Sequence, residues 1–479
     1  MEKPRFFEVF RVLEQALLTT IMFSYKIIKN GILINTKGDD LMGKTLKSPT
    51  IVILAVSVAL VVILASCGAS KSSASSSAPA AASAGSDQKI TLNTMNYETS
   101  NVDVDKQISE MFNKLHPNVT VNIVEKDWDQ YFTLLATQFQ SGNPPDAFGT
   151  NGISNNTLAS LVDQGMCEPM EMYFDKSQYA DWYVRVYTYK GHTWAIPGLY
   201  MDALATYYNK AVFAKYNLQP PKSMADMDNI MDTLLKNGVQ PFTMPGKSAD
   251  DTAFFLDTFI MSYAADWNSK FPYQGAKFAD KDFVDAIKLF VTWRDKGYFG
   301  KDYQANDVAT SVMQLLQGKA GMFLNGEWHA ADMNDSPDIG VFYMKRPDGK
   351  DAGMASSKQS YALSVYSKGP NKDMAIEFAK FFASPEVQQL MGDVSTSVPG
   401  DYPAAKGKVS SSNPIIQGFM NPDHSELGFL DSAGSVQKTG VDFFAIQTAA
   451  IQKLLFKQIS VDEMISTYDT SVDYNNIIQ

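Results

Sequence analysis

The stretch Ile90-Thr-Leu-Asn-Thr-Met-Asn-Tyr97 decides the fold, together with the residues Val104 to Leu115 and Val119-Thr-Val-Asn-Ile-Val124 that follow it. The first and third segments alternate or concentrate apolar and β-branched residues, as half-buried β-strands do. Between them, apolar residues recur at helical spacing until Pro117 ends the pattern. A strand, a helix and a second strand in this order predict the βαβ unit of a parallel sheet.

The same pattern continues along the chain. Apolar residues from Trp128 to Phe139 predict the next helix, and Asp146-Ala-Phe148 opens another short strand. Long helical stretches then dominate from Ala249 to Met333 and from Lys372 to Met391. Alternating β and α elements predict an α/β fold with a largely parallel sheet.

The composition is that of a globular chain. Of 479 residues, 45% are hydrophobic and 12% aromatic, enough for two or three domains with sizeable cores. The sequence has 41 Lys and Arg residues and 52 Asp and Glu residues, which gives a net charge of −11, and it contains no basic cluster. Because phosphate neutralisation needs basic groups, nucleic acid is not an expected partner. Two cysteines and four isolated histidines give no disulfide framework and no metal-binding tract, so no metal and no cofactor is expected.

An apolar run near the N-terminus predicts export. The residues from Ile51 to Leu64 are apolar except for Ser57. As a helix this run would reach about 21 Å, which is short of a membrane span. Lysines before the run and small residues behind it are typical of a secretory signal peptide.

The end of the run predicts where the signal peptide is cut. Leu64-Ala-Ser-Cys67-Gly68 resembles the bacterial lipobox, in which cleavage precedes the cysteine and the thiol carries lipid. Residues 42–66 are therefore predicted to be a lipoprotein signal peptide, Cys67 the lipid attachment site, and residues 67–87 the anchor and a Ser/Ala-rich tether. The alternative is a membrane-anchoring stretch with a chance cysteine. The lipobox predicts a protein held on the extracytoplasmic face of a bacterial cell membrane.

The first 41 residues fit neither element. Met42-Gly-Lys44 opens an ordinary signal peptide, and Lys37-Gly-Asp39 can be encoded by a ribosome-binding sequence. The hypothesis is that residues 1–41 are a mis-called N-terminal extension. Gly38 to Thr45 matches the phosphate-binding pattern GxxxxGK[ST], but the helix that follows would be the signal peptide itself, so a nucleotide site is not expected.

A series of short motifs runs through the rest of the chain. The motifs are Phe112-Asn-Lys-Leu-His-Pro117, Trp128-Asp-Gln-Tyr131, Ser141-Gly-Asn-Pro-Pro-Asp146, Gly191-His-Thr-Trp-Ala-Ile-Pro197, Tyr207-Tyr-Asn-Lys210, Pro220-Pro-Lys-Ser-Met-Ala-Asp226, Gly318-Lys-Ala-Gly-Met322, Asn325-Gly-Glu-Trp328, Ala375-Ile-Glu-Phe-Ala-Lys-Phe-Phe-Ala-Ser-Pro-Glu386 and Val461-Asp-Glu-Met464. In this order and spacing they resemble family 1 extracellular solute-binding proteins of ABC importers, the carbohydrate or maltose type. The resemblance covers about residues 88 to 475.

The resemblance implies a two-lobed, periplasmic-binding-protein-like α/β fold. Each lobe would be a largely parallel sheet flanked by helices, and crossing strands would join the lobes at a hinge. Residues 88–202 and 342–392 are expected in lobe one, and residues 203–341 and 393–479 in lobe two. The implied protein is a monomer that captures a sugar or oligosaccharide in the interlobe cleft and delivers it to ABC transporter permease subunits.

Sugar recognition needs flat aromatic platforms together with carboxylates and amides. By the resemblance, Trp328 matches the tryptophan that stacks on sugar in the maltose-type branch, and Asp202 matches a carboxylate at the first crossover. Phe443 or Phe444 occupies the place of late aromatic stackers. For each aromatic residue, packing in the core is the alternative.

Three further candidates come from position in the predicted fold. Glu98 and Asn151 follow predicted strands, and ligands of open α/β sheets bind at the carboxyl ends of strands. Trp267 lies on a predicted helix that is a candidate for facing the cleft. The alternatives are a solvated turn for the polar residues and core packing for Trp267.

Other functions remain open at this point. A peptide or a polyamine is an alternative ligand, and Tyr207-Tyr208 is a weak pointer to iron. A secreted glycosidase would need two carboxylates some 5–10 Å apart, and 52 acidic residues always offer such a pair. No G-x-S-x-G, HExxH or CxxC motif occurs. The sequence therefore predicts a lipid-anchored binding protein and not an enzyme.

Overall fold

The computed structural model describes residues 89–97, 102–153, 157–179, 181–198, 200–333, 336–356, 362–394, 398–399, 411–420, 422–438 and 441–477. The predicted mis-called extension, the signal peptide, Cys67, the tether and Glu98 lie outside these residues. The described residues belong to one compact unit, Gly85–Gln479. No helix in the described ranges is both long enough and apolar enough to cross a membrane.

The first sheet is built mainly from the N-terminal half of this unit. Its strands are β1 (Ile90–Asn96), β2 (Val119–Glu125), β3 (Ala147–Thr150) and β11 (Ala362–Val365), in the order β11-β3-β1-β2. Strand β1 pairs in parallel with β2 and with β3, and β11 pairs antiparallel to β3. The parallel pairing of β1 with β2 across the intervening helix confirms the predicted βαβ unit. The sequence could predict it because the alternation of apolar residues specifies which face of each strand is buried.

Helices cover the first sheet. They are α1 (Val102–Leu115), α2 (Trp128–Gln140), α3 (Thr157–Asp163), α11 (Lys372–Phe382) and α12 (Pro385–Val394). Their apolar faces bury Phe112, Tyr131 and Phe378 against the strands. Beside them lie α4 (Asp181–Val186) and a hairpin of β4 (Thr188–Tyr189) and β5 (His192–Thr193). We call the first sheet together with these helices and this hairpin lobe one.

The second sheet is built around one long strand. Its strands are β6 (Tyr200–Asn209), β7 (Gln240–Thr243), β8 (Ala320–Gly326), β9 (Ile339–Phe342), β10 (Gly353–Ser356), β12 (Val398–Pro399) and β13 (Ser425–Leu427), with the main order β13-β10-β6-β8-β7. Strand β6 runs antiparallel to each strand with which it pairs, whereas β10 with β13 and β7 with β8 are parallel. Strand β6, with which the chain enters this lobe, therefore runs in the opposite direction to its neighbours, and β11 likewise runs antiparallel to its neighbour β3 in lobe one.

A large aromatic core packs on the second sheet. The helices are α5 (Lys210–Lys215), α6 (Met224–Lys236), α7 (Ala249–Tyr263), α8 (Ala265–Lys270), α9 (Lys281–Lys296), α10 (Val308–Leu316), α13 (Pro414–Phe419), α14 (Phe429–Ser432), α15 (Phe443–Leu455) and α16 (Val461–Ser471). Helix α7 is buried along most of its length and lies at the centre of this core. These elements and the second sheet form lobe two.

The structure corrects one predicted boundary. The return to lobe one was expected at residue 342, but β9 and β10 both pair with β6 in the second sheet. The backbone bond from Ala352 N–H to the Met344 carbonyl (2.8 Å) folds the chain back along the same sheet. The first sheet is reached again only at β11.

Candidate functional site

A cavity of about 150 Å³ lies where the two lobes meet, and we call it the inner cavity. Lobe one contributes Ile153, Arg185 and Val186. Lobe two contributes Asn268, Ser269, Phe271, Tyr273, Glu426, Leu427, Asp431, Ser432 and Ser435. Apolar side chains therefore line the cavity together with a larger number of amide, hydroxyl and charged groups, which suits a polar small molecule.

The lobe-one wall is held at the carboxyl end of a strand. Ile153 follows β3, and its N–H donates to the carbonyl of Val186 at 3.1 Å. Gly152 allows this approach, since it has a φ of +78° and an added Cβ would lie 2.4 Å from Val186. The end of β3 and the end of α4 are therefore fixed together at the cavity.

The lobe-two wall is anchored by a buried carboxylate. Asp257 of α7 accepts the N–H of Leu430 at 3.3 Å. A Cβ at Gly428 would lie 2.2 Å from Asp257 Oδ2, so this turn packs directly on the carboxylate. The turn leads into α14, which carries Asp431 and Ser432 to the cavity.

Asn268 of α8 presents a hydrogen-bond acceptor at the cavity wall. Its side chain is only 3% exposed, and its Nδ2 donates to the Leu427 carbonyl at 3.0 Å. Its Oδ1 has no hydrogen-bond partner within the described part of the chain. A buried acceptor without a partner costs free energy unless a ligand or water supplies a donor.

Arg185 places its guanidinium on the opposite wall. Its guanidinium carbon lies 4.3 Å from the ring centroid of Tyr273, and it forms no hydrogen bond or ion pair with any residue that the structure describes. The Tyr273 hydroxyl is hydrogen-bonded to Ser435. Gln437 Nε2 also crosses between the lobes, donating to the Ile153 carbonyl at 3.3 Å. The two lobes thus contact each other around the cavity.

The acidic side of the cavity is largely compensated. Glu426 forms an ion pair with Arg346 and accepts a hydrogen bond from Ser269 Oγ at 2.9 Å. Arg346 is also bonded to His424 at 2.9 Å. The net field at the wall is therefore weaker than the two carboxylates of Glu426 and Asp431 would suggest.

A second cavity adjoins the first. This outer cavity measures about 390 Å³ and is lined by Lys176, Asp181, Val184, Arg185, Thr188 and Tyr273. Arg185 and Tyr273 line both cavities.

Trp328 lies on a different part of lobe two, in a 3₁₀ turn at Glu327–His329 after β8. Its indole rests on Gly326, where an added Cβ would lie 2.0 Å from Cζ3, and it meets the ring of Phe254 edge-on at 5.8 Å. The buried Glu327 accepts the Ala203 N–H at 2.8 Å. The turn is therefore tied to β6 beside Asp202.

The same turn is bonded to the centre of β6. Burial, together with the Glu327 charge, raises the pKa of Tyr207 well above its usual value, so its hydroxyl stays protonated. That hydroxyl donates to the Gly326 carbonyl at 2.7 Å. The backbone beneath the Trp328 indole is thus rigidly held.

Comparison with known proteins adds the family. A family profile described as bacterial extracellular solute-binding protein matches residues 107–418. The chain belongs to this family. Its members act outside the cytoplasm, so the chain is extracytoplasmic.

Two relatives of this solute-binding protein are named for the sugars that they bind. The maltodextrin-binding protein MdxE of Bacillus subtilis is 24% identical over 70% of this chain and 79% of its own length. The maltotriose-binding protein of Pyrococcus abyssi is 22% identical over 68% of this chain and 69% of its own length.

Solved structures support the fold. Apo RafE from Streptococcus pneumoniae aligns with a TM-score of 0.63 at 18% identity, covering 81% of this chain and 98% of its own. A chitin oligosaccharide binding protein aligns with a TM-score of 0.61 at 19% identity, covering 79% and 98%. The predicted two-lobed solute-binding fold is confirmed.

Two of the predicted aromatic site residues are core residues in this structure. Trp267 is 3% exposed, stacks on Phe271 at 4.7 Å and donates its indole N–H to the Lys277 carbonyl at 2.9 Å. Phe443 is fully buried and packs on Tyr468 at 5.6 Å. A sugar cannot stack on a ring whose faces are covered by other side chains, so both predictions are corrected.

The other predicted residues fall in different places. Trp328 and Phe444 are half-buried against the lobe-two core, and both stay predictions. Asn151 is buried directly after β3, two residues before the cavity residue Ile153. The backbone of Asp202 pairs with Ser356 in the second sheet, close to the Glu327 turn. None of these residues is among the described residues that line the inner or outer cavity.

Sequence reasoning missed Arg185, Asn268 and Tyr273. Two signals were present: only three arginines follow residue 88, and Tyr273 sits in the sequence Phe271-Pro-Tyr273, which breaks a helical stretch. Neither signal shows that these residues meet across a cleft. Tyr207-Tyr208 is not an open metal site, because Tyr207 is buried and bonded to Gly326. In the described ranges no three His, Cys, Asp or Glu side chains converge as a metal site would require.

Proposed function

We propose that this protein captures a sugar or oligosaccharide between its lobes and delivers it to the permease subunits of an ABC importer. The observation that carries the proposal is the inner cavity, which is lined by Asn268, Arg185 and Tyr273. Among the described residues, Asn268 Oδ1 has no hydrogen-bond donor, and the only contact of the Arg185 guanidinium is the Tyr273 ring. Relatives that bear maltodextrin and maltotriose in their names support the same ligand class.

The chemistry of the cavity suits a saccharide. Sugar hydroxyls donate and accept, so one hydroxyl can satisfy Asn268 Oδ1 while another accepts from Arg185. The apolar C–H face of a sugar ring can pack on an aromatic ring such as Tyr273 or, on the turn Glu327–His329, Trp328. Because both lobes supply contacts, ligand would stabilise the closed arrangement, which is the form that a permease would distinguish from the open one.

The site disfavours the alternative ligands. A polyamine needs uncompensated carboxylates, but Glu426 is paired with Arg346, and Arg185 adds positive charge at the opposite wall. The two carboxylates of the inner cavity, Glu426 and Asp431, both belong to lobe two, and the lobe-one carboxylate Asp181 lines only the outer cavity. A glycosidase would place its pair on either side of the scissile bond. We therefore propose a binder without hydrolytic activity.

A thermal-shift screen tests the sugar ligand. Malto-, xylo- and chito-oligosaccharides and raffinose would each be added to the protein, and one of these series should raise the melting temperature. The expected stabilisation is about 2.7 kcal/mol at one hundred times Kd. Intact sugar recovered by mass spectrometry would support a binder, whereas accumulating product would show an enzyme. If no saccharide shifts the melting temperature, the sugar proposal fails.

We further propose that the mature protein is a monomer held at the cell membrane by lipid on Cys67. Cys67→Ser, or a globomycin-type block of lipoprotein processing, should leave an uncleaved or released precursor. The measurement is the distribution of the protein between membrane and soluble fractions, with Cys167→Ser as the matched control. Normal membrane retention of Cys67→Ser would contradict the anchor.

A further inference from the structure

We propose that Arg185 and Tyr273 form a partition across the interlobe cleft, and that this partition makes the site prefer short saccharides over longer ones. This inference rests on the proposed function, because it concerns the length of the sugar that the same cleft accepts. Arg185 is thereby assigned as a specificity-determining residue.

The placement of the two side chains supports a partition. The inner cavity of about 150 Å³ and the outer cavity of about 390 Å³ share only Arg185 and Tyr273 among their described lining residues. The two side chains come from opposite lobes, and the guanidinium lies 4.3 Å from the centre of the ring. A chain of sugar units that extends from the inner to the outer cavity must pass the place where these groups meet.

The partition is built from one fixed part and one movable part. The Tyr273 hydroxyl is bonded to Ser435, which lies on the buried 3₁₀ turn Ala433–Val436 of lobe two. Arg185 is half-buried, and within the described residues its guanidinium contacts the Tyr273 ring without any ion pair or hydrogen bond. The long, flexible arginine side chain is therefore the part that would swing aside.

The strength of the contact sets the size of the effect. A cation–π contact of this kind shifts an equilibrium by about two- to thirtyfold, depending on how far the ion is removed from water. A saccharide confined to the inner cavity leaves the contact intact. A longer saccharide must break it, so its additional units gain less affinity than they would in an open groove.

The experiment measures the dependence of affinity on ligand length. Isothermal titration calorimetry would give Kd for maltose, maltotriose, maltopentaose and maltoheptaose, and for the corresponding xylo- and chito-oligosaccharides, with the wild-type chain and with Arg185→Ala. In the series that binds, wild type should gain at most about twofold between two and five units. Arg185→Ala should increase the ratio of the two-unit Kd to the five-unit Kd about tenfold.

Three further variants separate the partition from a general structural role. Tyr273→Phe keeps the ring and should keep the wild-type length ratio, whereas Tyr273→Ala should behave as Arg185→Ala does. Lys380→Ala removes one positive charge from the exposed face of α11 in lobe one, outside both cavities, and should match wild type. Loss of an interlobe contact alone would change affinity for every length by the same factor.

Each outcome decides between the proposals. An increased ratio in Arg185→Ala and Tyr273→Ala supports the partition. Measurable binding with an unchanged ratio in both variants overturns the partition and leaves the proposed function standing. Absence of binding of every series to the wild-type chain overturns the proposed function and the partition with it.

Discussion

The two tryptophans Trp267 and Trp328 lie in contrasting surroundings within lobe two. Trp267 is enclosed by Phe271, Phe278, Phe283 and Phe429, and its indole N–H is bonded to the Lys277 carbonyl. Trp328 is half-buried on a turn, with one face on Gly326, and its N–H has no acceptor among the residues that the structure describes.

The difference predicts different roles for the two tryptophans. Trp267 stacks on Phe271, which lines the inner cavity, so it supports the cavity wall from behind without reaching a ligand. The Trp328 ring is only partly covered, and no described residue accepts its N–H, which is what a ligand platform needs. Substitution of a supporting residue should mainly lower the free energy of unfolding. Substitution of a platform residue should mainly lower the affinity for the ligand.

The largest effect on stability is expected for Trp267→Ala. Removing a fully packed indole should lower the free energy of unfolding by about 3–5 kcal/mol through the cavity that it leaves. Denaturant unfolding would measure this loss, and titration with the sugar found in the thermal-shift screen would show a much smaller change in affinity. Trp267→Phe is the matched control and should restore part of the stability. A loss below about 1 kcal/mol would contradict the enclosed position of this ring.

The next largest effect is expected on affinity, for Trp328→Ala. If the indole stacks on sugar, its removal should cost about 2–4 kcal/mol of binding free energy. The loss of folding stability should be clearly smaller than for Trp267→Ala. Gly326→Ala provides a sharper variant, since it keeps the indole but places a Cβ where the ring now rests. Strong destabilisation of the ligand-free protein with near-normal affinity would make Trp328 a packing residue instead.

Local sequence patterns were sufficient to predict the helices and strands, but not the points at which the chain passes from one lobe to the other. Alternation and helical spacing predicted β1, α1 and β2, because each pattern is decided by neighbours in sequence. The pairing of Gly353–Ser356 with β6 depends on strands some 150 residues apart in sequence, and no local pattern encodes it. The second crossover was consequently predicted too early.

The same reason limits prediction of the site. Arg185 and Tyr273 are far apart in sequence and meet only because they lie on facing walls of the two lobes. Trp267 and Trp328 could not be separated by sequence, since the covering of the Trp267 ring depends on phenylalanines from three other segments. The resemblance to a family predicted the architecture, whereas side-chain burial required the structure.

The smallest effect is expected for Ser248→Ala, a substitution that tests whether the surroundings of Trp267 and Trp328 are independent of each other. Helix α7 connects them: it carries Phe254 to Trp328 and ends just before the helix of Trp267, and Ser248 caps its start by accepting the Asp251 N–H at 3.2 Å. Ser248→Ala should cost about 1 kcal/mol of stability, as the loss of an N-cap does, and should leave sugar affinity within about twofold. Ser248→Asp, which can keep the cap, should retain wild-type stability. A drop in affinity larger than the drop in stability would show that α7 couples the core around Trp267 to the turn of Trp328, and the distinction between support and platform would no longer hold.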